Sequence, residues 1–440
     1  MPQKHQPYTY DTTRPHLMRL FKLDLNGADE PLSGKLLSIT NIDFGMLTFS
    51  PRLWYQSFSE DIYYLFDELS DGKGYDALSY CWGDPKEPRP LYVSSISNQK
   101  SSDGRAVTNY KPHLDGMLLI QKNLRAFLQG LRRRRYNRFI WIDAICINQG
   151  CLEDKDNRVP LMRYVYEAAK LVYVWLGEAT AAEEDAVRTT PTLKTNLRAM
   201  TEGHKLNPSD PHSFDAAGVP APSQEVWRAL STIAARPWWS RLWTLQEVVV
   251  APNDPSFDRK LDYKPPNATI ICGESQVQWQ IFEDLISVVQ AQSLEGWLLA
   301  TTAPPDDEDD DRHAFASLEE IRTCRRGNAG WAISLSALLL ATRRRRATLP
   351  ADMVIGQSTL LDKGMIKELG LQSAQPAPDV FVRYGKHYVR QEPRECPLNH
   401  TRTAERMPGL PSWCPNFASR TETTPLTSRR LGPISVCDDD

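Results

Sequence analysis

Apolar residues along this chain fall into two rhythms. Tyr75-Asp-Ala-Leu-Ser-Tyr80 and Phe139-Ile-Trp-Ile-Asp-Ala-Ile-Cys-Ile147 are short runs rich in aromatic and β-branched residues, and each gives way to Gly, Asp, Asn or Gln. That pattern predicts two buried strands whose carboxyl ends open into polar loops. Between them, the stretch Gln121–Leu131 places Leu124, Phe127, Leu128 and Leu131 on one face at helical spacing. Strand, helix and strand in that order build a parallel sheet. The stretch Asp154–Lys170 then predicts an amphipathic helix with Pro160 in its first turns, and Leu171–Leu176 a third strand ended by Gly177. The unit repeats, so the expected class is α/β.

The flanking regions are patterned more loosely. Leu17–Leu23 and Ile62–Leu69 read as short packed elements, and 179–223, rich in Ala, Thr, Pro, Asp and Ser, as a mobile insertion with at most one or two helices. Ala268–Cys272 predicts a further strand and Trp279–Val289 a helix. Pro304–Asp311 is an acidic loop that repels itself, and Ala332–Ala341 an apolar helix running into Arg343–Arg346. The last thirty residues carry the Thr, Ser, Arg and Pro of a disordered tail.

Composition narrows the function classes. A chain of 440 residues, 41% hydrophobic and 24% charged, buries a sizeable core and suits two domains. A net charge of -3 argues against whole-molecule attraction to nucleic acid or an anionic membrane. The first residues lack the apolar core of a signal peptide, and no run approaches the roughly 18 apolar residues of a membrane span, so a cytoplasmic protein is expected. The 8 cysteines form no Cys-x-x-Cys pair and have no His pair at ligand spacing; they read as reduced thiols, with no metal site expected. Kinase, serine-hydrolase and metalloenzyme motifs have no match.

Four blocks in order carry a resemblance: Tyr75–Asp84, Phe139–Gln149, Asp154–Leu176 and Arg236–Ala251. Over residues 71–251 the chain closely resembles the heterokaryon incompatibility (HET) domain of filamentous fungi. Residues 1–70 are then an N-terminal extension, 252–420 a mainly helical region and 421–440 a tail. Leu410-Pro-Ser-Trp-Cys-Pro415 and Thr342–Pro350 are similar to the region that follows such domains. The element order also resembles that of Toll/interleukin-1 receptor (TIR) domains, which implies a flavodoxin-like parallel sheet flanked by helices. Trp243-Thr-Leu-Gln-Glu247 is similar to the Trp-Cys-Leu-x-Glu block of plant TIR domains, whose Glu is the catalytic acid of NAD-cleaving members. The resemblance therefore implies Glu247 as a catalytic residue and NAD as substrate, with no resident cofactor.

One carboxylate suffices for that chemistry, because cleaving the nicotinamide–ribose bond passes through an oxocarbenium-like centre. Ligands in an open parallel sheet bind outside the carboxyl ends of the strands. Trp82, Gly83, Asp84, Asp143, Asn148 and Gln149 all lie at or beyond such ends, where they would line a nucleotide pocket with Trp82 stacked on a base.

Each residue has a structural alternative. Glu247 would pair with Arg241 or Arg236 on a helix surface, a contact worth about 0–1 kcal/mol. Asp143 would cap a turn. Trp238, Trp239 and Trp243 would fill a core, and Arg132–Arg135 would complement a helix dipole, an alternative to nuclear import. Ile147–Gly150 lacks the basic-acidic loop typical of TIR domains, and Arg158 stands where HET domains commonly have Gln.

The HET resemblance implies a fungal non-self recognition protein whose domain triggers a cell-death response, acting through self-association and an unidentified protein partner. The alternatives are a non-enzymatic signalling module working by homotypic assembly, or a decayed, inactive family member.

Overall fold

The computed structural model describes residues 6–10, 18–39, 74–100, 106–110, 116–198, 207, 210–216, 218, 220–256, 263–294, 298, 314–328, 335–342, 344–358, 360, 369–372, 375–391 and 407–418. The expected element at 62–69, the acidic loop at 304–311 and the tail at 421–440 lie outside the described residues.

The strands are β1 (Met18–Leu23), β2 (Ser33–Ile39), β3 (Tyr75–Tyr80), β4 (Arg89–Lys100), β5 (Ala106–Tyr110), β6 (Gly116–Ile120), β7 (Phe139–Trp141), β8 (Val172–Trp175), β9 (Ala268–Cys272) and β10 (Ser275–Gln278). They form one mixed sheet in the order β10-β9-β8-β3-β7-β1-β2-β4-β5, with β6 paired to β4. Its centre is parallel: β7 pairs with β3, β3 with β8 and β8 with β9. Taken in chain order, these four strands lie 2-1-3-4 across the sheet, so the winding reverses between β3 and β8. Among the described residues, two of the ten strands come from the first 70 residues, ahead of the expected domain start at 71. β1 runs antiparallel to β7, with Phe21 opposite Ile140.

The helices, in chain order, are α1 (Lys122–Arg133), α2 (Asp143–Cys146), α3 (Leu152–Arg158), α4 (Met162–Ala168), α5 (Ala181–Arg198), α6 (Pro211–Ala216), α7 (Gln224–Ala234), α8 (Leu242–Val249), α9 (Trp279–Ala291), α10 (Ala314–Asn328), α11 (Leu335–Thr342), α12 (Asp352–Ser358) and α13 (Ala377–Gln391). The chain divides into two compact units, residues 1–239 with 250–318, and residues 240–249 with 319–440.

In the first unit, crossovers that run in opposite directions along the sheet put their helices on opposite faces, because each must be right-handed. Phe127 of α1 packs against Trp175, with ring centres 5.7 Å apart. Tyr166 of α4 meets Trp141, 5.3 Å away, on the other face. The face of α1 predicted to be apolar is the buried one: Leu124, Phe127, Leu128 and Leu131.

Three expectations are corrected. The second strand is only three residues long, and Asp143–Cys146 turns into a helix directly after it. The helix expected over 154–170 is broken at Val159–Leu161 into α3, a 3-10 turn and α4, since Pro160 lacks the N–H that a continuous helix needs. The insertion at 179–223 holds α5 and α6, within the one or two helices expected, but the 18-residue α5 is packed and not loose: its Ala186, Val187, Leu193 and Leu197 are buried.

Trp238 and Trp239 are core residues, each 1% exposed. Trp239 stacks on Phe282, and Trp238 donates its indole N–H to Ser79 on β3 at 2.9 Å. The Arg132–Arg135 run also serves the fold. Arg132 donates to the carbonyls of Glu30 and Ala28, Arg133 pairs with Glu274, and Arg134 donates to the Glu274 carbonyl. Those bonds hold two turns of the sheet to the end of α1, which is more than a dipole contact.

Among its described residues the second unit is helical. Phe381 and Tyr384 of α13 pack edge-on against Phe417 at 5.4 and 5.2 Å, and Trp413 lies against Gly385, where an added Cβ would come within 3.2 Å of its ring. The Leu410–Pro415 block thereby joins the core of this unit.

Candidate functional site

The carboxyl ends of β3 and β7 bring four of the seven predicted site residues into one neighbourhood. Trp82, two residues beyond β3, donates its indole N–H to Asp143 Oδ2 at 2.7 Å. The other oxygen of Asp143 accepts from the backbone N–H of Ala144 at 2.6 Å, as an acid in the first turn of a short helix does. Gln149 donates its side-chain amide to the Asp143 carbonyl at 3.0 Å. Gly83 adopts φ +85°, a conformation open to glycine, and turns the chain away from the sheet. Trp82 and Asp143 are half-buried, so the indole is held by one edge while part of its surface stays accessible.

Asp84 and Asn148 shape their own turns. Asp84 accepts from the Lys86 N–H at 3.0 Å on an exposed loop, and Asn148 Oδ1 accepts from the Gly150 N–H at 3.1 Å.

The loop after β7 is bolted from below. Asp154, 2% exposed, accepts from Arg19 at 2.9 and 3.1 Å, from Arg158 at 3.3 Å, and from the Asn148 N–H at 2.8 Å. Burial by itself would raise the Asp154 carboxyl. The Arg19 side chain, the Asn148 N–H and the charge of Arg158 outweigh it and hold the group below the usual aspartate range. A cavity of about 20 Å³ lies here between Arg19, Trp141, Cys146 and Arg158, room for one water. Burial pushes the Cys146 thiol up to about 12, so it is no thiolate nucleophile at neutral pH.

Where the winding reverses, Asn123 near the start of α1 ties two strand ends together. Its Nδ2 donates to the Cys81 carbonyl at 2.6 Å, and its Oδ1 accepts from the Trp175 indole at 2.8 Å. Arg236 pairs with Glu183 beside Gly177, whose φ is +114°. Burial would raise the Glu183 carboxyl, but the Thr180 N–H and Arg236 keep it below its ordinary value. Sequence reading missed Asn123, Trp175 and Glu183. The available signal was Trp175 itself, a strand-end indole whose N–H needs an acceptor once it is buried.

Glu247 lies on α8 in the second unit and is 5% exposed. Arg236, one of its two expected partners, is instead the partner of Glu183. Gln246 beside it is 1% exposed, with neither end of its amide hydrogen-bonded, an arrangement that costs about 1–3 kcal/mol. Trp243 donates to Asp352 Oδ2 at 3.3 Å. Among the described residues no group of His, Cys, Asp and Glu is placed to hold a metal ion, and no helix is long and apolar enough to cross a membrane.

Residues 75–247 match the family model of the heterokaryon incompatibility protein (HET). Over 203 residues, 41% of this chain, the sequence is 30% identical to heterokaryon incompatibility protein 6, OR allele, of Neurospora crassa; the match spans 28% of that relative's length. No solved structure matches the chain. Both sequence findings support the heterokaryon incompatibility family for this part of the protein. The matched stretch ends within α8, so it takes in parts of both units.

Proposed function

We propose that this chain acts in fungal non-self recognition, with residues 75–247 setting off a cell-death response when incompatible cells fuse. The family match and the Neurospora relative support the class of role. The observation that carries the mechanism is the Trp82 indole fixed by Asp143 at the carboxyl ends of β3 and β7, beside the strand-order reversal. The four parallel strands share the 2-1-3-4 start of a flavodoxin-like order, which supports this reading, and ligands of open parallel sheets bind at this end.

In this reading the substrate is NAD. The ribose C1′–nitrogen bond breaks with its electron pair passing to the pyridinium nitrogen, and neutral nicotinamide leaves. Water then bonds to C1′ and gives up a proton, leaving ADP-ribose. The carboxylate that would hold the ribose hydroxyls and steady the positive centre is Glu247, as the TIR resemblance implies.

A second reading is favoured by a different observation: both Asp143 oxygens accept internal hydrogen bonds, and Glu247 is almost fully buried. Under it the domain is a non-enzymatic module that signals by homotypic assembly. One experiment separates the two. The full chain at high concentration is assayed for nicotinamide release, with Glu247→Gln as control. Release that drops about 100-fold or more in the variant supports the enzyme; absence of release from clustered wild type leaves the assembly module.

A further inference from the structure

We infer that described residues between 319 and 358 hold the Glu247 helix in place, with Arg325 and Arg345 as its positioning residues.

An eight-residue helix is too short to persist by itself, because few internal hydrogen bonds offset the cost of nucleating it. Its first N–H groups and last carbonyls also need partners from outside. In α8 the second unit supplies them at both ends. At the amino end, the Leu242 N–H donates to the Arg346 carbonyl at 2.9 Å and the Arg346 N–H donates to the Ser240 carbonyl at 2.7 Å, a two-bond bridge. Arg345, 1% exposed, adds a bond to the Arg241 carbonyl at 3.0 Å while its guanidinium is braced by Glu320 at 2.8 Å.

At the carboxyl end, one nitrogen of Arg325 donates to the carbonyls of Val248 and Val249, both at 2.9 Å, and the residue is 6% exposed. The helix has no basic residue in its own last turn. Arg325 therefore provides the cation that the negative end of the helix dipole favours. Along the side, α12 approaches so closely that a Cβ on Gly356 would lie 3.0 Å from Leu242 Cδ2, and Trp243 donates to Asp352. Arg345, Arg346, Asp352 and Gly356 thus all serve to hold α8.

The test is amide hydrogen exchange on the full chain, comparing wild type with Arg325→Met and Arg325→Lys. Loss of a charged donor to two carbonyls is expected to speed exchange across 244–249 about tenfold or more in Arg325→Met, with partial recovery in Arg325→Lys and no change in β3, β7 or β8. Unchanged exchange across 244–249, or loosening spread equally over the sheet, would overturn the inference. Should Arg325→Met fail to fold, Trp243→Phe, which removes the indole donor to Asp352 and part of the ring beside Gly356, replaces it with the same expectation on a smaller scale. A kinetic arm rests on the NAD reading: kcat/KM for nicotinamide release falls in Arg325→Met, since the helix holds the carboxylate that meets the ribose. An absence of turnover in wild type would sink that reading and leave the exchange result to decide this one.

Discussion

Asp154 and Asp76 are both aspartates 2% exposed in the same sheet-bearing unit, both paired with arginine, and their carboxyls move in opposite directions. Asp154 sits under the loop that follows β7 and is met by two almost fully buried guanidinium groups and a backbone N–H. Asp76 lies at the opposite end, the amino end of β3, with the partly exposed Arg138 at 3.1 Å and the Tyr136 hydroxyl at 2.8 Å. Burial is the largest influence on both. At Asp76 it raises the carboxyl above its ordinary value, and Arg138, Tyr136, Lys170 and the Leu171 backbone offset it only in part. Two carboxyls equally shielded from solvent thus move in opposite directions according to whether their donors outweigh burial, and the donors do so at the end of the sheet that carries the candidate site.

The largest way to break that contrast is Asp154→Asn. It takes the negative charge from between Arg19 and Arg158, and is expected to lower stability by about 3–5 kcal/mol in urea unfolding. Asp76→Asn keeps a neutral acceptor for Tyr136 at a place where burial already favours the neutral form, so its cost is about 1 kcal/mol.

The pH dependence sharpens the comparison further. Asp154 has a lowered carboxyl, so its stabilisation is present above the unfolded value of 3.8 and is lost as pH falls through the lower folded value. The deficit of Asp154→Asn relative to wild type therefore grows as pH rises from acid to neutral. Asp76 has a raised carboxyl, so its contribution is present below 3.8 and is lost as pH rises through the higher folded value. The deficit of Asp76→Asn accordingly shrinks over the same range. Parallel slopes in the two variants would refute the assignment. The smallest expected effect is at Asp143, whose Trp82 and Ala144 donors are neutral and whose side chain is half-buried. Asp143→Asn should change stability by no more than about 0.5 kcal/mol while shifting the Trp82 indole N–H resonance in NMR.

Much of the sheet was legible because strand and helix signals are local. The runs at 75–80, 172–175 and 268–272 form strands, and the α1 face forms as its spacing predicts, since alternation and 3.6-residue spacing follow from backbone geometry alone. The break at Pro160 and the short second strand were less visible, because a continuous apolar pattern does not reveal where backbone hydrogen bonding changes type. Around the candidate site, Trp82, Asp143 and Gln149 were visible as polar and aromatic residues at strand ends. Asn123 was not, because it acts through carbonyl and indole partners 42 and 52 residues away.

By itself the sequence determined that the chain carries repeated strand–helix–strand units and four blocks in the order found in HET domains. Both are written in short-range spacing and residue identity. Only the tertiary structure decided which acid keeps its charge, which arginines serve as clamps, and that Trp239 and Glu247, eight residues apart in one block, belong to different compact units. Those outcomes depend on burial and on partners distant in the chain, and neither quantity is set by local spacing.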